Sequence, residues 1–256
     1  MQTTAAPPSR DARQRFHHYG PWVVGLIAVC AVLGYEIARH HLLSSDEIYF
    51  FIALVPSIIL HEISHGVVAY WCGDDTAKRA GRLSLNPIRH IDPIGTLLLP
   101  ALMILSPLHR AFGWAKPVPI NLNNLRHPRN QAVLVGLVGP FTNALLALAG
   151  GFALRFATHN GATLPVVGAW PGWATFLYMF GYANAVLCAF NLIPIPPLDG
   201  SALLERLLPG RALPSYYRMR SFLMVAVIAL VWLDTGVLAV LFNWALRLWA
   251  DACFFA

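Results

Sequence analysis

Tyr49-Phe-Phe-Ile-Ala-Leu-Val-Pro-Ser-Ile-Ile-Leu-His-Glu-Ile-Ser-His-Gly-Val-Val-Ala-Tyr-Trp71 carries two imidazoles and a carboxylate in an otherwise apolar run. On a helix, positions i and i+4 lie on one face. His61 and His65 can therefore offer two nitrogens to a single metal ion, and Glu62 sits close enough to act on a water bound there, the arrangement of metal-dependent hydrolases. In soluble proteins this H-E-x-x-H pattern rides on an amphipathic helix, whereas here the flanks are apolar on every face. Ionisable groups inside a membrane are costly and mark function. The stretch thus reads as a membrane-embedded helix, residues 48–72, built around a polar site.

The totals agree. Of 256 residues, 57% are hydrophobic and 12% charged, against about 25% charged in an ordinary globular domain, and the mean hydropathy is +0.57. The expected fold is an all-α polytopic membrane protein, with about five to six transmembrane helices and a short β-hairpin or re-entrant segment after the H-E-x-x-H helix. A net charge of +6 would suggest nucleic acid in a soluble protein. In a membrane protein it reflects the placement of Lys and Arg between spans, so the expected partners are the lipid bilayer and a protein substrate, with no nucleic acid. Cys30, Cys72, Cys188 and Cys253 are scattered through apolar segments and read as small buried residues.

Along the chain, residues 1–16 read as a disordered cytoplasmic tail. Residues 17–47 hold an accessory first span, at 20–38, and an outer loop. The core covers 48–208: the motif helix 48–72, with Pro56 one turn before His61 as a possible kink; a strand and re-entrant region at 73–130; helices at 131–157 and 173–193; and the proline-broken segment 194–208. Within the second part, Arg82-Leu-Ser-Leu-Asn86 alternates like a short strand, and 93–108 is apolar but short, with three prolines. Residues 209–256 read as a C-terminal membrane helix or a helical hairpin broken at Asp234-Thr-Gly236.

Basic residues orient this arrangement. If 93–108 dips into the membrane and returns, 15 of the 18 Lys and Arg fall on the side of the N-terminus, leaving Arg39, Arg155 and Arg247 on the other. Such a bias marks the cytoplasmic face. It places the N-terminus inside and the motif toward the cytoplasmic side of the bilayer.

A catalytic zinc usually takes three protein ligands and keeps one position open. Glu36, Asp199 and Asp234 are the acidic candidates in apolar surroundings. Glu36 lies near the outer end of the first span and Asp234 in a turn. Asp199 follows a proline-broken helix end, where irregular backbone at membrane depth must line protein or water, and it is the best third ligand.

Taken together, His61-Glu-Ile-Ser-His65 in an apolar helix, Gly139-Pro-Phe-Thr-Asn143 opening a later one, and Asn191-Leu-Ile-Pro-Ile-Pro-Pro-Leu-Asp-Gly200 resemble the site-2 protease family of zinc intramembrane metalloproteases. The resemblance runs from about residue 48 to 208, and Gly113-Trp-Ala-Lys-Pro-Val-Pro119 resembles a segment of compact bacterial members. With no room expected for an inserted PDZ domain between 158 and 172 or for a C-terminal CBS domain, the resemblance is to a minimal-core member. The resemblance implies one Zn2+ per chain held by His61, His65 and Asp199, with Glu62 and Asn143 as catalytic residues: Glu62 as general base and acid, Asn143 holding the substrate or polarising its carbonyl. The implied activity is hydrolysis of a peptide bond in a membrane-anchored protein near the cytoplasmic side of the bacterial cell membrane. Two other classes, a metal-binding transporter and a non-cleaving zinc-binding membrane protein, fit less well. The first needs a polar path across the bilayer, and the second does not need Glu62.

Overall fold

A computed structural model describes residues 43–100, 113–158, 170–232 and 236–255, with isolated positions between 31 and 39. The main helices are α1 (Ser45–Trp71), the short α2 (Thr76–Arg79), α3 (Pro128–Ala157), α4 (Gly172–Asn191), the short α5 (Ser201–Leu207), α6 (Leu213–Trp232) and α7 (Val237–Ala250). Three of them, α1, α3 and α4, are long and apolar enough to cross a membrane, and they pack on one another. The expected first span at 20–38 lies outside the described residues, apart from isolated positions.

Each helix starts where local chemistry permits. In α1, Ser44 Oγ accepts from the Glu47 N–H (3.3 Å) while Glu47 Oε2 accepts from the Ser44 N–H (2.7 Å). This reciprocal cap satisfies two otherwise orphaned donors, and it starts α1 earlier than the apolar run suggests. The helix continues through Pro56 to Trp71. Pro128 opens α3 at the position where a missing N–H costs nothing. Gly139–Asn143 therefore lies inside a continuous helix, not at its start. Between α6 and α7, Gly236 adopts a left-handed φ of 74°, a conformation glycine takes at little cost.

Helix association in lipid lacks a hydrophobic drive and relies on close van der Waals fit through small residues. Gly150 of α3 meets Gly181 of α4 so closely that a Cβ at 150 would lie 3.0 Å from the Gly181 nitrogen. The Trp249 indole of α7 fills the space over Gly181, and its Nε1–H donates to the Ala147 carbonyl (2.8 Å). Ala147, Ala185, Trp249 and Cys253 form one buried cluster there.

The connection after α1 departs from expectation. No strand occurs among the described residues. Residues 82–86 run as irregular backbone with a bend at Leu83, and local bonds take up backbone groups there: Arg82 N–H donates to Ala77 O, Asn86 N–H to Ser84 Oγ, and His90 Nε2–H to Ser84 O (2.8 Å). Side chain-to-backbone bonds of this kind compete with a ladder, and five alternating residues are too few to outweigh them. By chain contacts the molecule divides into two units, residues 44–91 with 115–256, and residues 1–43 with 92–114. In the second unit, Pro93–Leu98 is a π-helical turn capped by Asp92, whose Oδ1 accepts from Ile94 and Gly95 N–H. The rest of the expected re-entrant segment beyond residue 100 lies outside the described residues.

The exit of α1 is pinned by Asp74. Its fully buried carboxylate accepts from the N–H and hydroxyl of Thr76, from Asn121 N–H (2.7 Å) and from Asn124 Nδ2 (2.9 Å). Arg126 N–H closes the same junction on Cys72 O (3.0 Å). Burial opposes ionisation of Asp74, yet the hydrogen bonds from Thr76, Asn121 and Asn124 outweigh it and hold its carboxyl below the ordinary value of 3.8. A carboxyl with a depressed folded-state pKa stabilises the fold above its unfolded pKa, and that contribution disappears as pH falls through the folded value. Asp74→Ala is expected to cost about 1–3 kcal/mol. Thermal melting of the detergent-solubilised chain will show the variant less stable at neutral pH, the gap to wild type narrowing below about pH 4.

Candidate metal centre

One turn of α1 separates His61 from His65, and their rings meet edge to face with centroids 4.7 Å apart. The Nε2 atoms lie 3.1 Å from each other. Asp199 Oδ2, 134 residues after His65 in the sequence, sits 2.9 Å from His61 Nε2 and 3.3 Å from His65 Nε2. The two histidines are buried and Asp199 is partly buried.

Asp199 is delivered by the turn that follows α4. Pro194, Pro196 and Pro197 remove three N–H groups that irregular backbone would otherwise leave unpaired. The remaining donors close the turn: Gly200 N–H to Asn191 O (2.7 Å), Leu198 N–H to Ile195 O (2.9 Å) and Ala202 N–H to Asp199 O (3.0 Å). The turn then rests on α3. A Cβ at Gly136 would strike the Ala202 methyl at 2.6 Å, so this contact needs glycine. Arg129 Nη2–H donates to the carbonyls of Arg206 and Leu208, and Arg206 Nε–H to Asn130 Oδ1. Together they clamp α5 to the first turns of α3.

Whether these residues suit a cation depends on their protons. His65 Nδ1 faces the Val135 carbonyl at 2.6 Å. A carbonyl only accepts, so Nδ1 carries the hydrogen and Nε2 presents a lone pair. His61 Nδ1 faces Asn143 Oδ1 at 2.5 Å, while Asn143 Nδ2 donates to Asn184 Oδ1 at 2.8 Å, so His61 Nε2 also presents a lone pair. Asp199 Oδ2 is buried and has no aligned hydrogen bond, despite its ion-pair distance to both rings. Three electron-pair donors thus face one point from corners 2.9, 3.1 and 3.3 Å apart. Without a cation such a cluster repels itself, and burying it is costly. A tetrahedral zinc ion with bonds of about 2.0–2.1 Å sets its ligand atoms about 3.3–3.4 Å apart. The triangle fits that ion to within a few tenths of an ångström.

Glu62 occupies the next position on α1. Its Oε2 accepts from the Val118 N–H (2.8 Å). Val118 belongs to a strap without regular secondary structure, residues 115–120, held by Arg82 Nη2–H on the carbonyls of Lys116 (2.6 Å) and Pro117 (3.3 Å) and by Lys116 N–H on His90 O (2.9 Å). The sequence marks this segment only through the resemblance of Gly113–Pro119 to a segment of compact bacterial members. A backbone N–H aimed at a carboxylate has no sequence signature.

The resemblance implies that Asn143 holds the substrate or polarises its carbonyl; in the structure its side chain is turned to His61 and Asn184. Asn143 is fully buried, with its oxygen on His61 and its amide on Asn184, so it stands behind the imidazole. Val135, Gly136, Gly139 and Asn143 form one stripe of α3, and each touches the centre. Gly139 is the tightest: a Cβ there would lie 2.4 Å from His65 Nε2 and 2.5 Å from His61 Cε1. The sequence also passed over Ser57 and Asn184, two buried polar side chains in apolar spans; a polar residue inside a span is the signal that could have found them.

The comparisons with known proteins agree with this chemistry. The family model described as "Peptidase family M50" matches residues 168–233. The chain is 42% identical over 161 residues to a Bacillus subtilis (strain 168) protein named "Putative zinc metalloprotease YwhC", an alignment covering 63% of this chain and 69% of that one. It is 32% identical over 150 residues to a Mycolicibacterium smegmatis protein named "Putative zinc metalloprotease Rip2", covering 58% of this chain and 53% of the relative. The Mycobacterium tuberculosis H37Rv protein of the same name is 35% identical over 153 residues, with the same coverage. No solved structure matches.

Gly139→Ala keeps every candidate ligand and fills the space their rings occupy. Zinc analysis after dialysis against a chelator is expected to show binding weakened by about 10–100-fold, the range for groups that orient metal ligands. His65→Ala or Asp199→Ala, which remove a donor outright, should lose more.

Proposed function

The chain belongs to peptidase family M50, the site-2 protease family, and is a zinc metalloprotease; from that premise we propose that it hydrolyses a peptide bond of a membrane-anchored protein within the bilayer, toward its cytoplasmic side. The observation that carries this reading is the position of the donor triangle and Glu62 among α1, α3 and α4, three helices of membrane-spanning length and composition. A protease whose active groups lie at that depth meets substrates that are themselves in the membrane. The positional bias of Lys and Arg supports a cytoplasmic N-terminus and a site nearer that face.

In this reading His61, His65 and Asp199 hold the metal. Bound there, zinc supplies a Lewis acid for the scissile carbonyl and lowers the pKa of an attacking water. Glu62 takes the proton from that water and later delivers it to the leaving amine, as general base and then acid. The Val118 N–H keeps the carboxylate in one orientation beside the metal ligands. Asn143 holds the His61 ring. A transmembrane helix has its carbonyls bonded internally, so the substrate must unwind locally before Glu62 can act. Regulated cleavage of single-span proteins fits this requirement.

The test is cleavage of a panel of single-span proteins reconstituted with the chain in liposomes. Glu62→Gln is expected to lower the rate by about 10²–10⁴-fold, the usual contribution of a positioned acid–base group, with zinc per chain unchanged. Equal loss of substrate in the wild type and this variant would overturn the proposal.

A further inference from the structure

Behind the donor triangle runs a chain of hydrogen bonds with a single permitted direction. It starts at the Phe180 carbonyl, which can only accept. Asn184 therefore turns its amide nitrogen toward Phe180 O (2.8 Å), and the same Nδ2 also donates to Ser57 Oγ (2.8 Å). Ser57 can accept there because its own hydroxyl donates to Ala53 O (2.7 Å). With its nitrogen committed, Asn184 presents Oδ1 to Asn143, whose Nδ2 donates to it. Asn143 must then present Oδ1 to His61 Nδ1. Reversing either amide would set oxygen against oxygen in a site with no exposure to solvent, since Ser57, Asn143 and Asn184 are each 0% exposed.

We propose that Asn184 is a positioning residue for the metal centre: through Asn143 it fixes the tautomer of His61 with the hydrogen on Nδ1, so that the Nε2 lone pair is always turned toward the metal. Local sequence around His61 cannot do this, because a neutral imidazole carries its hydrogen on either nitrogen and the partner of the other nitrogen decides which. His65 solves the same problem differently, by facing the Val135 carbonyl directly. His61 instead faces a side-chain amide, which has a donor face and an acceptor face, so something further must hold that amide. Asn184, anchored on a carbonyl of its own helix, supplies the hold. The three elements that carry the chain, α1, α3 and α4, are those that pack around the site. The inference rests on the metal assignment above and is independent of what the substrate is.

Zinc affinity of the purified full-length chain, measured by competition with a chromogenic chelator and without substrate, tests it. Asn184→Leu is expected to raise the zinc Kd about tenfold, and Asn143→Leu 10–100-fold. Because Asn184 acts through Asn143, the double Leu variant should bind zinc no more weakly than Asn143→Leu alone, a non-additivity expected of residues in one network. Rescue provides the more specific arm. A carboxylate at position 143 has no donor face, so Asn143→Asp combined with Asn184→Leu should restore the affinity that Asn184→Leu loses. In ¹⁵N-histidine spectra of the metal-free chain, the His61 signal, identified by its absence in His61→Ala, should show hydrogen on Nδ1 in the wild type and a mixture in Asn184→Leu. Asn184→Ser, with melting temperature followed in parallel, serves if the leucine variant does not fold. Wild-type zinc affinity in both Asn184 variants, or additive losses in the double variant, would overturn the relay. Wild-type affinity in His61→Ala would overturn the metal assignment itself, so the two failures read differently.

Discussion

Two imidazole lone pairs and a carboxylate oxygen converge inside a bundle of apolar helices, and most of the described core can be understood as what keeps them there. The two histidines are buried and Asp199 is partly buried, and none has a hydrogen-bond donor turned toward the others. The cost of this arrangement is offset when a cation occupies the point they face. Other polar groups of the spans are satisfied by one another: Ser57 by Ala53, Asn184 by Phe180 and Ser57, Asn143 by Asn184 and His61.

Helix α3 is where packing and chemistry meet. At one end of its buried stripe, Gly150 lets α4 approach at backbone distance while Trp249 fills the remaining space. Near the other end, Gly136 admits the turn that carries Asp199, and Gly139 admits both histidine rings. Each is a place where a methyl group would push apart elements that must touch. Small residues of one helix thus serve both helix association in lipid and the fit around the donor triangle.

The carboxylate of Glu62 is handled separately, outside the bundle's polar chain. It is met by a backbone N–H from a proline-set strap that is itself held by a buried arginine on two carbonyls. Prolines at 117 and 119 limit the conformations open to Val118, so the donor arrives already oriented. The general base and the candidate metal ligands are thus positioned by different parts of the chain, the strap for one and α3 with the post-α4 turn for the other.

Sequence alone was enough to set His61, Glu62 and His65 on one helical turn, because that relation is local and follows from 3.6 residues per turn. Apolar run length identified α1, α3 and α4, and the prolines before Asp199 marked a broken helix end near membrane depth. It misjudged residues 82–86, where alternation suggested a strand but neighbouring Ser, Asn and His side chains occupied the backbone first. It also left the partners of Asn143 open, since the motif shows a polar residue in a span without showing which way it faces. That Asp199 meets both rings, that Asn143 backs His61, that Val118 reaches Glu62 and that Gly139 must lack a side chain were all decided by tertiary structure. Each depends on the rotation and register of one helix against another, and those are set by packing between residues tens of positions apart, which no local period encodes.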